Sequence, residues 1–181
     1  MKLKYKALLI EIFLSISLMA FCVGCNAEFQ ERTSFPFEEV LIIKADLSDN
    51  WEWRSNEWID ENVYAATYTA GEGILLTHQV GVFQSREAAE IAYHEWEAEW
   101  FAGGWQPRSD ATFMANDPLD QYRYECIDVT ANGRPKSPCR YLQQHGRFVS
   151  LIRIGIDGEA ITFGEFNELL QIVDHKLNTV E

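Results

Sequence analysis

The residues that could coordinate a metal or transfer a proton are scattered along the chain. His94 precedes Glu95 and Glu97, but the zinc motif H-E-x-x-H is not completed because Ala98 occupies the place of the second histidine. The four histidines fall in four different predicted elements, where we expect them at the surface or at the rim of the core: His78, His94, His145 and His175. The sequence therefore predicts no catalytic residue, no metal and no cofactor. The enzymatic alternative is a small hydrolase whose active site is formed by acidic and histidine residues that are dispersed in the sequence.

The first 25 residues have the layout of a secretory signal. Three lysines within the first six residues are followed by an apolar run at 12–23, and a small residue, Gly24, precedes Cys25. Glu11 interrupts the segment and leaves about a dozen apolar positions, whereas a spanning helix needs about 20. We therefore predict a signal peptide over residues 1–25. Ordinary secretion and an uncleaved anchor are the alternatives.

The Gly24-Cys25 pair makes this segment resemble a bacterial lipoprotein signal, in which the cysteine thiol is lipidated and becomes the new N-terminus. The resemblance implies a lipid anchor at Cys25, a membrane as partner, and a location on the extracytoplasmic side of the cell envelope. Asn26 stands where enteric lipoproteins of the inner membrane carry aspartate, which favours the outer membrane if the cell has one. Residues 26–39 are polar and are predicted to tether a single domain, 40–181.

The two remaining cysteines, Cys126 and Cys139, are predicted to form a disulfide. Cys22 leaves with the signal and Cys25 is lipidated, and a compartment outside the cytoplasm favours disulfides. The two thiols flank a turn at 131–135, and antiparallel pairing about this turn places them opposite each other. No C-x-x-C motif remains after cleavage, so a reactive thiol is not favoured.

Charge argues against nucleic acid as a partner. Without the four charged residues of the signal, 12 basic and 27 acidic residues remain, and such a surface repels nucleic acid. The distribution is uneven, since residues 26–121 hold 5 basic and 19 acidic groups whereas residues 122–156 hold 6 and 2. This basic stretch either pairs with the acidic helices of its own domain or presents a cationic patch to an acidic partner.

Hydrophobic periodicity predicts strands and two amphipathic helices. The first helix follows an N-cap at Ser85 and ends before Gly103-Gly104, and the second opens with a capping box from Thr162 to Glu165. Gly71-Glu72-Gly73 is predicted to close a hairpin with glycine at positive φ. Strands are expected, in chain order, at 40–44, 51–54, 63–70, 74–83, 122–130, 139–144 and 148–156.

The order of these elements predicts an α+β fold. A hairpin followed by an amphipathic helix occurs twice, over 63–102 and 139–177. Two such units fit an antiparallel sheet of about six or seven strands with both helices packed on one face.

Two segments carry a family resemblance. The run 81–89, GVFQSREAA, leads from a strand directly into an alanine-rich helix, and 147–152, RFVSLI, is a strand before the last helix. In this order of elements the chain is similar to exported α/β-sandwich domains, namely the PsbP-like group and mycobacterial lipoproteins related to kinase extracellular sensor domains. The resemblance implies a non-catalytic exported accessory or sensor-like module.

Binding is the predicted function, with an unidentified ligand or protein as partner. Trp51 and Trp53 alternate with charged residues, which indicates either a strand that caps the core or an aromatic platform for a sugar or apolar ligand. The residues expected to line a site are Trp51, Trp53, Arg123, Arg140 and Arg153. The alternative is a structural or assembly lipoprotein of the envelope, which predicts a large exposed apolar patch, whereas a binding module predicts a concave pocket.

Overall fold

The computed structural model describes residues 35–107, 120–131 and 133–180. The predicted signal, the lipidation site Cys25 and the tether up to residue 34 lie outside them. Every element below belongs to one compact unit that begins at Phe37. Within the described ranges no helix is both long and apolar enough to cross a membrane.

This unit is an antiparallel sheet of eight strands with two α-helices among the described residues. The sheet order is β1-β2-β3-β8-β7-β5-β4, and β6 pairs with β7 beside this path. The α+β class and the two hairpin–helix units are thereby confirmed. The strands are β1 Trp51–Asp60, β2 Val63–Ala70, β3 Ile74–Val82, β4 Gln106–Pro107, β5 Gln121–Cys126, β6 Val129–Ala131, β7 Arg134–His145 and β8 Phe148–Ile156, and the helices are α1 Arg86–Trp100 and α2 Phe163–Thr179.

Local sequence signals account for where these elements begin and turn. The Ser85 hydroxyl accepts a hydrogen bond from the Ala88 amide at 3.2 Å and caps α1. Thr162 and Glu165 form the predicted capping box of α2. Gly71 and Gly73, between β2 and β3, have φ of 51° and 82°, the left-handed conformation that favours glycine.

The opening strand predicted at 40–44 is wrong. The last residues of the predicted tether, Phe37–Glu39, form a 3-10 turn in which Phe37 is buried, and a second 3-10 turn covers Lys44–Asp46. Between them Val40, Leu41 and Ile42 are buried without belonging to the sheet.

Side chains, rather than a neighbouring strand, satisfy the backbone of this buried segment. The amide of Ile42 donates to Nδ1 of His78 at 2.9 Å, and its carbonyl accepts from the Tyr68 hydroxyl at 3.1 Å. Lys176 of α2 donates to the carbonyl of Leu41 at 2.8 Å. Because buried backbone groups need partners of some kind, these bonds replace a strand ladder.

The two helices contact opposite faces of the sheet, so the prediction that both pack on one face is wrong. Helix α1 belongs to an apolar cluster formed with β7 and β8: Ala89, Ala92, Tyr93, Phe101, Leu142, Val149 and Leu151. Helix α2 places Phe166 against Tyr124, with ring centroids 5.5 Å apart, and Asp174 accepts from Gln143 at 2.7 Å. Leu142 and Gln143 are consecutive in β7, and consecutive strand residues point to opposite faces.

The physical reason lies in the central strand β8. Leu151, which faces α1, and Ile152, which faces the other way, are both fully buried. A strand that is apolar on both faces must be covered on both faces. The run FVSLI of β8 is almost continuously apolar, and this pattern indicates two covering layers rather than one.

The disulfide between Cys126 and Cys139 is confirmed. The two residues are direct partners in the register of β5 with β7, and their Cα atoms are 4.2 Å apart. The bridge links residues 13 positions apart, so it restricts a short loop of the unfolded chain.

Removing this bridge in the double variant Cys126→Ala/Cys139→Ala is expected to lower the free energy of unfolding by about 3 kcal/mol. Equilibrium urea denaturation measures the change. Reductant should destabilise the wild type to a similar extent and leave the double variant unaffected. Equal urea midpoints for the two proteins under oxidising conditions would contradict a stabilising bridge.

Candidate functional site

The structure brings the three predicted arginines together on the face of the sheet that α1 contacts. Arg140 of β7 and Arg153 of β8 are directly opposite each other in the register. Arg123 of β5 is opposite Leu142, two residues along β7 from Arg140, and therefore points to the same face.

The two predicted tryptophans lie elsewhere, on the outer strand β1. Trp51 is 2 % exposed and belongs to the core. Trp53 is 58 % exposed, and its Nε1 donates to Asn56 at 3.1 Å. Its register partner Tyr68 points away from α1, towards the buried segment at Ile42, so Trp53 lies on the face opposite the arginines.

Six polar side chains lie side by side across the sheet on the α1 face, and we call them the polar row. Each is the register partner of the next, on the strands β1, β2, β3, β8, β7 and β5 in turn: Ser55, Thr67, Thr77, Arg153, Arg140 and Glu125. Glu125 is buried and the other five are half-buried. The row is thus neither a solvated surface nor an apolar core.

Aromatic rings from the end of α1 and the chain after it cover the arginines. The guanidinium carbon of Arg140 lies 3.8 Å from the ring centroid of Trp105, and that of Arg153 lies 4.5 Å from Trp100. Arg123 stacks on Phe101 at 4.7 Å. The sequence prediction missed these aromatic residues, although their density around the Gly103-Gly104 helix stop was a signal of an aromatic cluster there.

The arginines differ in how their charge is balanced. Arg123 is paired within the domain, to Glu97 of α1 at 3.1 Å and to Glu125 at 2.9 Å. Arg140 donates to the carbonyl oxygen of Trp100. Within the described ranges neither Arg140 nor Arg153 forms an ion pair with a carboxylate. The basic stretch is therefore neutralised internally at Arg123 and not at the other two.

The pKa values of Arg140 and Arg153 are both lowered. Burial lowers the pKa of Arg140, and the neighbouring charge of Arg153 lowers it further. Burial also lowers the pKa of Arg153, while the carboxylate of Glu99 opposes the change. Nε of Arg153 is buried and has no hydrogen-bond partner in the part of the chain that the structure describes. Because an arginine stays protonated in proteins, the site is cationic.

Two of the four histidines are buried, which corrects the expectation that all lie at the surface or at the rim of the core. His78 is on the α2 face, between the amide of Ile42 and the hydroxyl of Ser150, whose oxygen is 2.9 Å from Nε2. His145 lies beside Asp120, with Nδ1 2.8 Å from a carboxylate oxygen. His94 and His175 are exposed. Among the residues described, no group of three histidine, cysteine or acidic side chains could hold a metal ion.

Comparison with protein-family models and with curated proteins finds no match to this chain. The resemblance to exported α/β-sandwich domains stays a prediction. The polar row and its arginine pair are the candidate site. These residues combine a fixed positive charge, half-buried hydroxyl groups and aromatic walls, which are the ingredients of a small-molecule binding site.

Proposed function

We propose that this protein is a non-enzymatic lipoprotein of the bacterial cell envelope that binds a ligand along the polar row. The anchor is a lipid on Cys25, the domain lies on the extracytoplasmic side, and its partners are the membrane and the ligand. Nucleic acid is not a partner because the mature chain is strongly acidic. The observation that carries the binding function is the Arg140–Arg153 pair, which is half-buried without a carboxylate partner among the described residues.

Anchoring is supported by the lysine-rich, apolar leader that ends in Gly24-Cys25. Expressed from the full gene in a bacterial host, the wild type is expected in the membrane fraction. The Cys25→Ser variant should leave that fraction, and Cys22→Ser, which alters a residue removed with the signal, should not. Mass spectrometry of a membrane-bound wild type that retains residues 1–24 and an unmodified Cys25 would contradict the proposal.

Ligand binding is supported by the energetic cost of placing two half-buried arginines opposite each other. Like charges directly opposite each other on neighbouring strands destabilise a sheet. Buried polar groups without hydrogen bonds add a further cost, and among the residues that the structure describes Nε of Arg153 is one such group. A ligand that bonds to these groups would offset both costs, whereas a purely structural role leaves them in place.

The binding proposal is tested by thermal-shift screening of the full-length protein in detergent micelles against neutral, cationic and anionic small molecules. Compounds that bind the row should raise the melting temperature of the wild type and of Ile91→Tyr, whose position is exposed on α1. They should not stabilise Thr77→Tyr, in which a larger side chain fills the row. No stabilising compound in any class, or hits that stabilise Thr77→Tyr equally, would count against this function.

A second candidate, assembly of the envelope, is supported by the outer strand β1. Trp53, Trp58 and Ile59 on this strand are 58 %, 47 % and 51 % exposed. Long outer strands with exposed apolar side chains favour association with other chains. Charged residues on the same strand, Glu52 and Arg54 among them, oppose it.

A further inference from the structure

We infer that the polar row recognises an oxyanion, a carboxylate or phosphate group of a small hydroxylated molecule, held between Arg140 and Arg153. This inference rests on the proposed binding function and specifies the chemical class of its ligand. It is carried by the register of the two arginines, by the aromatic rings that orient them, and by the polar groups that flank them.

The position of the two guanidinium groups suits one anion. Arg140 and Arg153 face each other on adjacent antiparallel strands, where Cβ atoms are about 4.5–5.5 Å apart. Like charges directly opposite each other on neighbouring strands repel, and a single anionic group between them changes that repulsion into two attractions. Arginine is also the side chain whose planar fork matches the oxygen atoms of carboxylate and phosphate.

The aromatic rings hold the two forks in place. Trp105 lies 3.8 Å from the guanidinium carbon of Arg140, and Trp100 lies 4.5 Å from that of Arg153. Stacking occupies one face of a guanidinium and leaves the N–H groups in its plane able to bond, although one of those of Arg140 already donates to the Trp100 carbonyl. Nε of Arg153 has no partner in the described part of the chain and is a donor that an oxyanion can use.

The carboxylate of Glu125 does not take the place of the anion. Glu125 is the register partner of Arg140, but its Oε1 accepts from Arg123 at 2.9 Å, and no ion pair to Arg140 is present. As a buried negative charge, Glu125 repels an anion from its end of the row. The oxyanion is therefore expected between the two arginines, on the side nearer to Arg153.

The hydroxyl groups continue the site along the sheet. Thr77 is the register partner of Arg153, and Thr67 is the partner of Thr77. Both are half-buried, and a hydroxyl can both donate and accept hydrogen bonds. A ligand with hydroxyl groups next to its acidic group matches this order of arginine and threonine. The overall charge of −13 repels polyanions at a distance, which favours a ligand with one acidic group.

The test compares three probes that share a sugar ring: glucuronate carries a carboxylate, glucose 6-phosphate a phosphate, and glucose no charge. Each is titrated into the full-length protein in detergent micelles. Tryptophan fluorescence and the NMR signal of the Arg153 Nε–H group are followed. We expect at least one acidic probe to shift both signals with saturation, and glucose to leave them unchanged. Which acidic probe binds more tightly distinguishes a carboxylate ligand from a phosphate ligand.

Variants distinguish a specific role of the arginine pair in binding from a general effect of positive charge. Arg153→Gln is expected to weaken binding of the acidic probe at least tenfold, and Arg153→Lys, which keeps the charge and loses the fork, should weaken it less. Arg134→Gln is the matched control, because Arg134 is exposed and pairs with Glu72 and Glu159. Circular dichroism of each variant checks folding.

Two outcomes would overturn the inference. One is that neither acidic probe nor inorganic phosphate, each raised to high millimolar concentration, perturbs the Arg153 Nε–H signal. The other is that Arg153→Gln binds as tightly as Arg134→Gln. A neutral compound that binds the row while both acidic probes fail would leave the binding function intact and refute the anionic class, so the two proposals fail separately.

Discussion

Acidification from pH 6.5 to about pH 3 is expected to lower the free energy of unfolding by about 4–5 kcal/mol through His78 alone. His78 is fully buried, and burial together with the charge of Lys176 lowers its pKa to about 3. Nδ1 accepts from the Ile42 amide, so the neutral ring carries its proton on Nε2 and donates to Ser150.

The direction follows from which state binds the proton. Between pH 6.5 and 3 the unfolded chain protonates His78 while the folded protein keeps it neutral. Stability from this residue is therefore complete above pH 6.5 and falls by about 1.4 kcal/mol per pH unit below it. Charging His78 would also break its bond with the Ile42 amide, which holds the buried segment ahead of β1.

Urea denaturation at pH values between 7.5 and 4.5 measures this effect in a range where most carboxyl groups do not titrate. The comparison is between the wild type and His78→Gln, whose amide can replace both hydrogen bonds without a charge change. The free energy of unfolding of His78→Gln should vary less steeply with pH than that of the wild type, because about one proton fewer is taken up on unfolding. The control His94→Gln alters an exposed ring and should keep the wild-type slope. An unchanged slope in His78→Gln would refute the assignment.

Replacing His145 by alanine is expected to cost about 3–5 kcal/mol of unfolding free energy, because it removes one partner of a buried pair. The side chains of His145 and Asp120 are 3 % and 0 % exposed, and Nδ1 lies 2.8 Å from the carboxylate. Gln143 bonds the same carboxylate at 3.0 Å and reaches Asp174 of α2 at 2.7 Å. The pair is thus part of a network that joins β7 to α2.

A double-variant cycle measures this pair. His145→Leu and Asp120→Leu are each expected to destabilise strongly, and the double variant should lose less than the sum, since no charge is left buried without its partner. His175→Ala, on the exposed side of α2, should change stability by about 0.5 kcal/mol or less. Additive losses in the cycle would show that the two side chains do not act as a pair.

The local signals in the sequence predicted the starts of both helices and the bounds of the strands at 63–70 and 148–156 correctly. The run predicted as one strand at 122–130 is two strands, β5 and β6, and the strands predicted at 51–54 and 139–144 are longer than expected. Ser85 and Thr162 cap their helices by hydrogen bonds within four residues, so no distant contact is needed to position them. The pairing of Cys126 with Cys139 was predictable for a similar reason, because both lie on strands joined through a short segment.

The covered faces of the sheet were harder to predict. The buried run at Val40, Leu41 and Ile42 has the composition of a strand, yet its backbone bonds to His78, Tyr68 and Lys176. These partners are distant in the chain, and no local pattern identifies them. The position of α2 opposite α1 likewise depends on β8 being central in the sheet, with both faces apolar.

By itself the sequence determined the α+β class, the helix caps, the disulfide and the concentration of basic residues after residue 121. Tertiary structure alone decided that Arg140 and Arg153 face each other, that Trp100 and Trp105 stack on them, and that Trp51 is core. Helix caps and turns depend on neighbours in the chain, so local patterns reveal them. A site assembled from six strands depends on register and strand order, which follow from how the whole core packs.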